Sequence, residues 1–238
     1  MAAVTFDGVT LTYPGLDVPA VGDLHLEVAD GELLVLAGPA GCGRSTTLRL
    51  LAGLEEVDAG RVLLDGQDVT RLSSRERDVA MVLQSYALYP HLTVGDNLGF
   101  AMRVAGIDDD EVARRVAEAA EVLDLTDQLD QTPAELTRDL RHRVAMGRAI
   151  VRAPQVFIMD DPLVTLDPAV RAATRDQLSA LQRRLGVTTL YATSQPDEAL
   201  AIGDRVAVLR DGVLQQCDTP QRLREAPANP FVAAYLGV

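Results

Sequence analysis

Apolar and polar residues alternate from Val4 to Tyr13 and again from Leu24 to Val28, the period of two that sets one face of a strand against a core. After the turn residues Asp30-Gly31 comes an unbroken apolar run, Leu33 to Ala37, which reads as a strand buried on both faces. Arg61–Leu64, a turn at Asp65-Gly66 and Val69 suggest a hairpin, and Val79–Leu83 is a further buried strand. From about Ser85 to Pro154 the period lengthens to that of a helix. Val112, Val116, Ala119 and Leu123 fall on one helix face, with Asp108-Asp109-Asp110 at its positive end; Leu140, Val144, Gly147 and Val151 mark another. Strands return at Val156–Met159, Val187–Ala192 and Arg205–Leu209, with a hairpin turn at Asp211-Gly212. Before the second of these, Pro168 suits a first helical position with Asp167 as its cap, ahead of Val170, Thr174, Leu178, Leu181 and Leu185 at helical spacing.

Strands alternating with helices predict an α/β fold whose mostly parallel sheet binds ligands at its strand C-termini. The helical block reads as an insertion, so the predicted organisation is a core of residues 1–84 and 155–238 with a helical subdomain over residues 85–154. The chain shows no internal repeat and no low-complexity linker.

Gly38-Pro39-Ala40-Gly41-Cys42-Gly43-Arg44-Ser45-Thr46 sits where the Leu33–Ala37 strand passes into an apolar-periodic helix through Leu48 and Leu51. Strand, glycine loop and helix are the setting of a phosphate-binding loop. The glycines turn backbone N–H groups toward an anion, and the helix adds its positive end. Ser45 supplies a hydroxyl for Mg²⁺, while Arg44 stands where such a loop carries lysine. The strand Val156–Met159 ends in Asp160-Asp161, and a carboxylate there, next to a phosphate loop, is placed to hold Mg²⁺.

Of the 238 residues 47% are apolar, enough for a sizeable core, and the net charge is −13. That charge argues against nucleic acid as the main partner, because phosphate backbones need a basic face. The two cysteines, Cys42 and Cys217, make no disulfide framework and fit a reducing, cytoplasmic setting. No apolar run approaches the length of a membrane span, and Met1 to Gly8 lacks the pattern of a signal peptide, so any membrane link is expected through a partner.

The order of these pieces resembles the ATP-binding subunit of ABC transporters, of the sugar-importer type, over almost the whole chain. Tyr13-Pro14 resembles the aromatic on which adenine stacks. Leu83-Gln84-Ser85-Tyr86-Ala87-Leu88-Tyr89-Pro90-His91-Leu92-Thr93-Val94 is similar to the family's glutamine-loop segment. There the glutamine touches Mg²⁺ and the following residues line the groove for the membrane subunits. Leu163-Val164-Thr165-Leu166-Asp167 resembles a loop in which Asp167 pairs across a dimer. Pro220-Gln221 through Ala228-Asn229-Pro230-Phe231-Val232 resembles the end of the ATPase domain.

The resemblance implies a P-loop NTPase core, RecA-like, of mostly parallel sheet plus an antiparallel β-subdomain, with the inserted α-helical subdomain. It implies ATP and Mg²⁺ as cofactors, with Tyr13 on the base, residues 38–46 on the phosphates, and Ser45, Gln84 and Asp160 on the metal. It also implies a second ATP-binding subunit, identical or different, and membrane subunits docked through Gln84–Val94 at the inner face of the cell membrane. Long members continue into a β-rich regulatory domain; with Val238 last, that domain is expected to be absent or truncated.

Four departures from the family pattern fall on chemistry. Arg44 replaces the loop lysine with a planar fork, which weakens a tight β/γ-phosphate contact. Asp161 replaces the glutamate that polarises water and is one carbon, about 1.5 Å, shorter; a misplacement of about 1 Å costs about 10²-fold in rate. Ser194, within Tyr191-Ala192-Thr193-Ser194-Gln195-Pro196, replaces the switch histidine. The signature reads Leu136-Thr137-Arg138-Asp139-Leu140-Arg141 in place of LSGGQR. Asp139 brings a carboxylate toward phosphate, on the order of 4 kcal/mol at about 4 Å and an effective dielectric of about 20, which Arg138 and Arg141 offset in part. The expectation is an ATP-binding transporter subunit with weak or absent hydrolysis, in which Asp161, Gln84 and Ser194 are the catalytic positions. Two alternatives stay open: a scaffold that no longer uses nucleotide, and a working ATPase whose substitutions compensate one another.

Overall fold

The computed structural model describes residues 2–82, 88–152, 154–164, 166 and 168–238; residues 2–81 with 155–238 form one compact unit and residues 82–154 another.

The first unit is built on two sheets. In the antiparallel one, β1 (Val4–Leu11) lies between β2 (Val21–Val28) and β4 (Ala59–Leu64), and β4 pairs with the short β5 (Gln67–Asp68). The β1 strand stops short of the predicted Tyr13. Gly8 has φ 64°, and the β1–β2 register slips between Phe6 and Val9 and again before Leu11. These bulges turn the chain out of the ladder. Strand β2 starts earlier than predicted because the irregular Asp23, at φ 46°, hides the alternation of its first half.

The other sheet follows the order β10-β9-β3-β8-β7-β6, where β3 is Leu33–Ala37, β6 Val79–Val82, β7 Val156–Asp160, β8 Thr188–Thr193, β9 Arg205–Arg210 and β10 Val213–Asp218. Pairs β9–β3, β3–β8 and β8–β7 are parallel, while β10 runs antiparallel at the edge. All five residues of β3 and all six of β8 are buried. Covered on both faces, β3 is an uninterrupted apolar run, whereas β8 buries Thr188, Thr189 and Thr193, each with its hydroxyl bonded to backbone. Register brings Ala37 opposite Thr193 and Asp160 opposite Ala192. The three strands therefore end within one residue of each other, and Gly38, Asp161 and Ser194 leave the sheet close together.

Helix α1 (Arg44–Ala52) follows β3; α5 (Pro168–Leu185) and α6 (Pro196–Ile202) flank β8; α7 (Pro220–Glu225) and α8 (Pro230–Leu236) close the chain. Both ends of α1 are held by backbone geometry. Its N-cap Gly43 and C-cap Gly53 lie at φ 106° and 68°. Arg77, 4% exposed, donates to the carbonyls of Leu50 and Leu51 at 2.6 and 3.1 Å, placing a cation on the helix's negative end.

In the second unit, α2 (Val94–Val104), α3 (Asp109–Val122) and α4 (Arg138–Ile150) pack together. Thr93, Asp108 and Thr137 cap them by accepting N–H bonds from Asp96, Asp110 and Leu140. A Cβ on Gly147 of α4 would lie 2.4 Å from the Leu98 side chain, so the absence of a side chain there lets α2 and α4 approach. Asn97 is 1% exposed; its amide bonds the N–H and carbonyl of Tyr89 at 2.8 and 3.0 Å, fixing the segment before α2.

His142, on α4, is 1% exposed, and burial pulls its pKa from 6.5 to about 4, against a smaller upward pull from Asp139. Unfolded chain takes up this proton as pH falls through 6.5 and folded chain resists it, so the stability is whole above pH 6.5 and drains away toward pH 4. Between pH 7 and pH 4.5 this amounts to about 2 to 3 kcal/mol. Denaturant titrations at those pH values are expected to show that loss, reduced by most of this amount in His142→Leu; equal pH dependence in the two proteins would contradict it.

Candidate functional site

The loop from Gly38 to Thr46 joins β3 to α1, and its glycines are required by space as well as by dihedral. A Cβ on Gly38 (φ +153°) would meet the Leu209 carbonyl oxygen at 2.3 Å and Cys42 Sγ at 2.6 Å. One on Gly43 (φ +106°) would meet the Ala20 carbonyl oxygen at 2.4 Å. Gly41 (φ +79°) has nothing within 4 Å and, with Pro39 and Ala40, is exposed. Cys42 anchors the loop instead: it is 2% exposed and its carbonyl accepts the Gly212 N–H at 3.1 Å. Burial pushes its thiol pKa up, against a smaller downward pull from Arg44.

Arg44 opens α1 with its side chain 7% exposed. One guanidinium nitrogen, Nη2, donates to Asp161 Oδ2 at 3.3 Å; the other, Nη1, is buried and has no hydrogen-bond partner among the described residues. Ser45 Oγ donates to Asp160 Oδ1 at 2.9 Å. A cavity of about 430 Å³ opens beside Arg44 and Ser45, lined also by Thr46, Tyr13, Leu16 and Val18. Tyr13 is held by its hydroxyl, which donates to Glu55 at 3.3 Å and lies 3.5 Å from Thr46 Oγ1. Glu55 in turn pairs with Arg49 at 3.6 Å.

Asp161 sits at φ 44°, a left-handed conformation uncommon for a residue with a side chain. Its Oδ1 accepts the Ser194 N–H at 3.1 Å while Oδ2 takes Arg44, so both carboxylate oxygens are engaged. Burial pushes its pKa up, and Arg44 draws it part of the way back. The Ser194 carbonyl accepts the Tyr235 hydroxyl proton at 3.2 Å, and that hydroxyl accepts the Gly38 N–H at 2.9 Å. A closed ring thus runs from Gly38 through Tyr235, Ser194 and Asp161 to Arg44.

The sequence reading had placed Tyr13, residues 38–46, Asp160, Asp161 and Ser194 at one site, and the fold brings them together. Gln84 and Asp167, with their metal and dimer roles, lie outside the described residues. Thr137, Arg138 and Asp139 belong to the second unit, where Thr137 caps α4 and Asp139 lies 3.2 Å from Arg143. Arg143, one turn along the helix, is thus a charge facing Asp139. Tyr235 and Glu55 were not foreseen. The only sequence trace of Tyr235 is its spacing of one helical turn from Phe231, on whose ring it stacks at 6.1 Å.

Among the described residues no group of three or more His, Cys, Asp or Glu is placed to hold a metal. The pair Ser45–Asp160 nevertheless matches Mg²⁺, which takes one or two protein oxygens and leaves the rest to phosphate and water. No helix among the described residues is long and apolar enough to cross a membrane.

A glycine loop over a helix start, beside a strand-end carboxylate on a parallel sheet, defines a P-loop NTPase core. The chain belongs to the ABC transporter family, whose profile matches residues 21–164. It is 56% identical, over its whole length, to the diacetylchitobiose uptake system ATP-binding protein MsiK of Streptomyces coelicolor, and covers 63% of that protein. It is 48% identical, again over its whole length, to the trehalose import ATP-binding protein SugC of Mycobacterium tuberculosis, and covers 60% of it. The chain thus spans a little over three-fifths of the length of these relatives. A solved ATP-binding cassette, a dimer in a post-hydrolysis state bound to ADP and Pi, superposes with a TM-score of 0.76 at 25% identity, covering 91% of this chain and 98% of that one.

The two glycine environments make a graded test. Gly38→Ala is expected to cost at least about 2 kcal/mol in denaturant unfolding, since strain and collision with a backbone carbonyl add. Gly41→Ala meets only strain and is expected to cost about 1–2 kcal/mol. Equal costs would mean that the close approach at Leu209 is relieved by a small shift.

Proposed function

We propose that this chain is the ATP-binding subunit of a carbohydrate importer, binding Mg-ATP on residues 38–46 and coupling its occupancy to membrane subunits, with hydrolysis weak. The observation that carries the binding part is Arg44 Nη1: a buried, unpartnered cationic donor at the head of a helix, beside open backbone N–H groups. Such a group is costly to bury unless an anion completes it. Phosphate oxygens do so, with the α1 N-terminus adding its dipole.

Tyr13, tethered by Glu55, stacks the base. Ser45 and Asp160 hold Mg²⁺, which when bound offsets charge on the β- and γ-phosphates. Asp161 is the poor base. Its oxygens are occupied by Arg44 and the Ser194 N–H, and it is about 1.5 Å shorter than glutamate. Ser194 contributes to this site through its peptide N–H and carbonyl, not the imidazole that the family carries there.

The carbohydrate assignment rests on relatives named for diacetylchitobiose uptake and trehalose import. On this reading Gln84–Val94 faces the membrane subunits. A second subunit, identical or different, brings Thr137, Arg138, Asp139 and Asp167 to the shared nucleotide. The protein works at the cytoplasmic face of the cell membrane. Core 1–84 and 155–238 carries the nucleotide, and the helical subdomain 85–154 carries the coupling.

Calorimetry tests the binding part. Mg-ATP is expected to bind at or below about millimolar concentration, and Arg44→Ala to weaken it by about tenfold or more, the worth of a charge-assisted hydrogen bond. A folded chain that binds nothing at several millimolar overturns it. Turnover tests the rest. The double reversion Arg44→Lys/Asp161→Glu is expected to exceed the unaltered chain by at least about tenfold. Equal turnover removes the claim of weak hydrolysis.

A further inference from the structure

We propose that Tyr235, on the last helix of the chain, is a positioning residue that sets the phosphate loop in register with the segment at residue 194. The inference rests on the nucleotide-binding reading of that loop. The geometry comes first. Strands β3 and β8 are hydrogen-bonded up to the Ala37–Thr193 pair. Immediately beyond it the chains diverge: Gly38 turns into the loop at φ +153°, and residue 194 turns toward α6. The Gly38 N–H and the Ser194 carbonyl are the next backbone donor and acceptor past the ladder. The Tyr235 hydroxyl stands between them, accepting from Gly38 at 2.9 Å and donating to Ser194 at 3.2 Å. It acts as one more rung across a gap the ladder cannot span.

The chemistry of that rung is selective. It must accept on one side and donate on the other, which a hydroxyl does and a carboxylate, an ammonium or an apolar ring does not. Burial raises the Tyr235 pKa, so the donor proton is kept. The ring is itself fixed. It stacks on Phe231 with 14° between planes, Arg210 lies 4.8 Å over the Phe231 ring, and Asn229 caps α8 by accepting the Val232 N–H at 3.0 Å. Ser194 passes the constraint on, because its N–H holds Asp161 Oδ1 at 3.1 Å. Movement of Tyr235 therefore displaces at once the first glycine of the loop and the peptide that orients Asp161.

Tyr235→Phe keeps the ring and removes the hydroxyl, and two readouts on the full chain decide the matter. Calorimetric Kd for Mg-ATP is expected to rise at least about fivefold, with the thermal midpoint moving by no more than about 4 °C, the scale of one lost hydrogen bond in a chain of this size. A merely structural role would move the midpoint and leave Kd in place. Amide hydrogen exchange at Gly38, measured without nucleotide, is expected to quicken about tenfold or more, the factor that corresponds to one hydrogen bond. Kd within twofold of the unaltered chain overturns the proposal, as does unchanged exchange at Gly38. Should the unaltered chain bind no Mg-ATP, the nucleotide reading fails by itself, and the exchange rate alone then decides whether Tyr235 holds the loop.

Discussion

Everything around the glycine loop of this molecule depends on parallel strands finishing within one residue of each other. Hydrogen bonding fixes Ala37 opposite Thr193 and Asp160 opposite Ala192. A shift of one residue in either pairing would reverse which face each side chain occupies and carry Asp161 away from Arg44. The loop glycines, the strand-end carboxylates and the peptide at Ser194 are neighbours only because that register holds. Register in turn is enforced by burial. Both strands are buried throughout, so a slipped alignment would have to repack side chains of different size on both faces at once.

Rigidity is distributed unevenly around this edge. Helix α1 is secured at its start by Gly43, whose carbonyl accepts bonds from the Thr47 N–H and hydroxyl, and at its end by the buried Arg77. Cys42 ties the loop to the turn at Gly212. Against that frame the side chains with latitude are Arg44, with one nitrogen unfilled, and Asp161, held only by hydrogen bonds. A ligand arriving here would meet movable side chains on a fixed helix.

The architecture was largely legible because its signals are local. Uninterrupted apolar runs marked β3 and most of β7, and the glycine spacing marked the loop. Strand ends in the antiparallel sheet were not legible, since the bulge at Gly8 and the kink at Asp23 break the alternation that would reveal them. At the site, residue types were readable and their bonds were not. Arg44 and Asp161 are 117 positions apart, and Gly38 and Tyr235 are 197 apart. Nothing in either neighbourhood specifies the other; only the assembled sheet does. Ser194 illustrates the limit. Sequence comparison of side chains pointed to a lost imidazole, whereas the contacts made at this position run through a peptide group that any residue would supply.

The pairing of Arg44 with Asp161 has a consequence for how the site responds to its surroundings. Nη2 holds the carboxylate while Nη1 stays unfilled, so an incoming anion would share the guanidinium with Asp161 and need not displace it. One planar fork would then stand between ligand and strand-end acid, so that whatever shifts Arg44 shifts both.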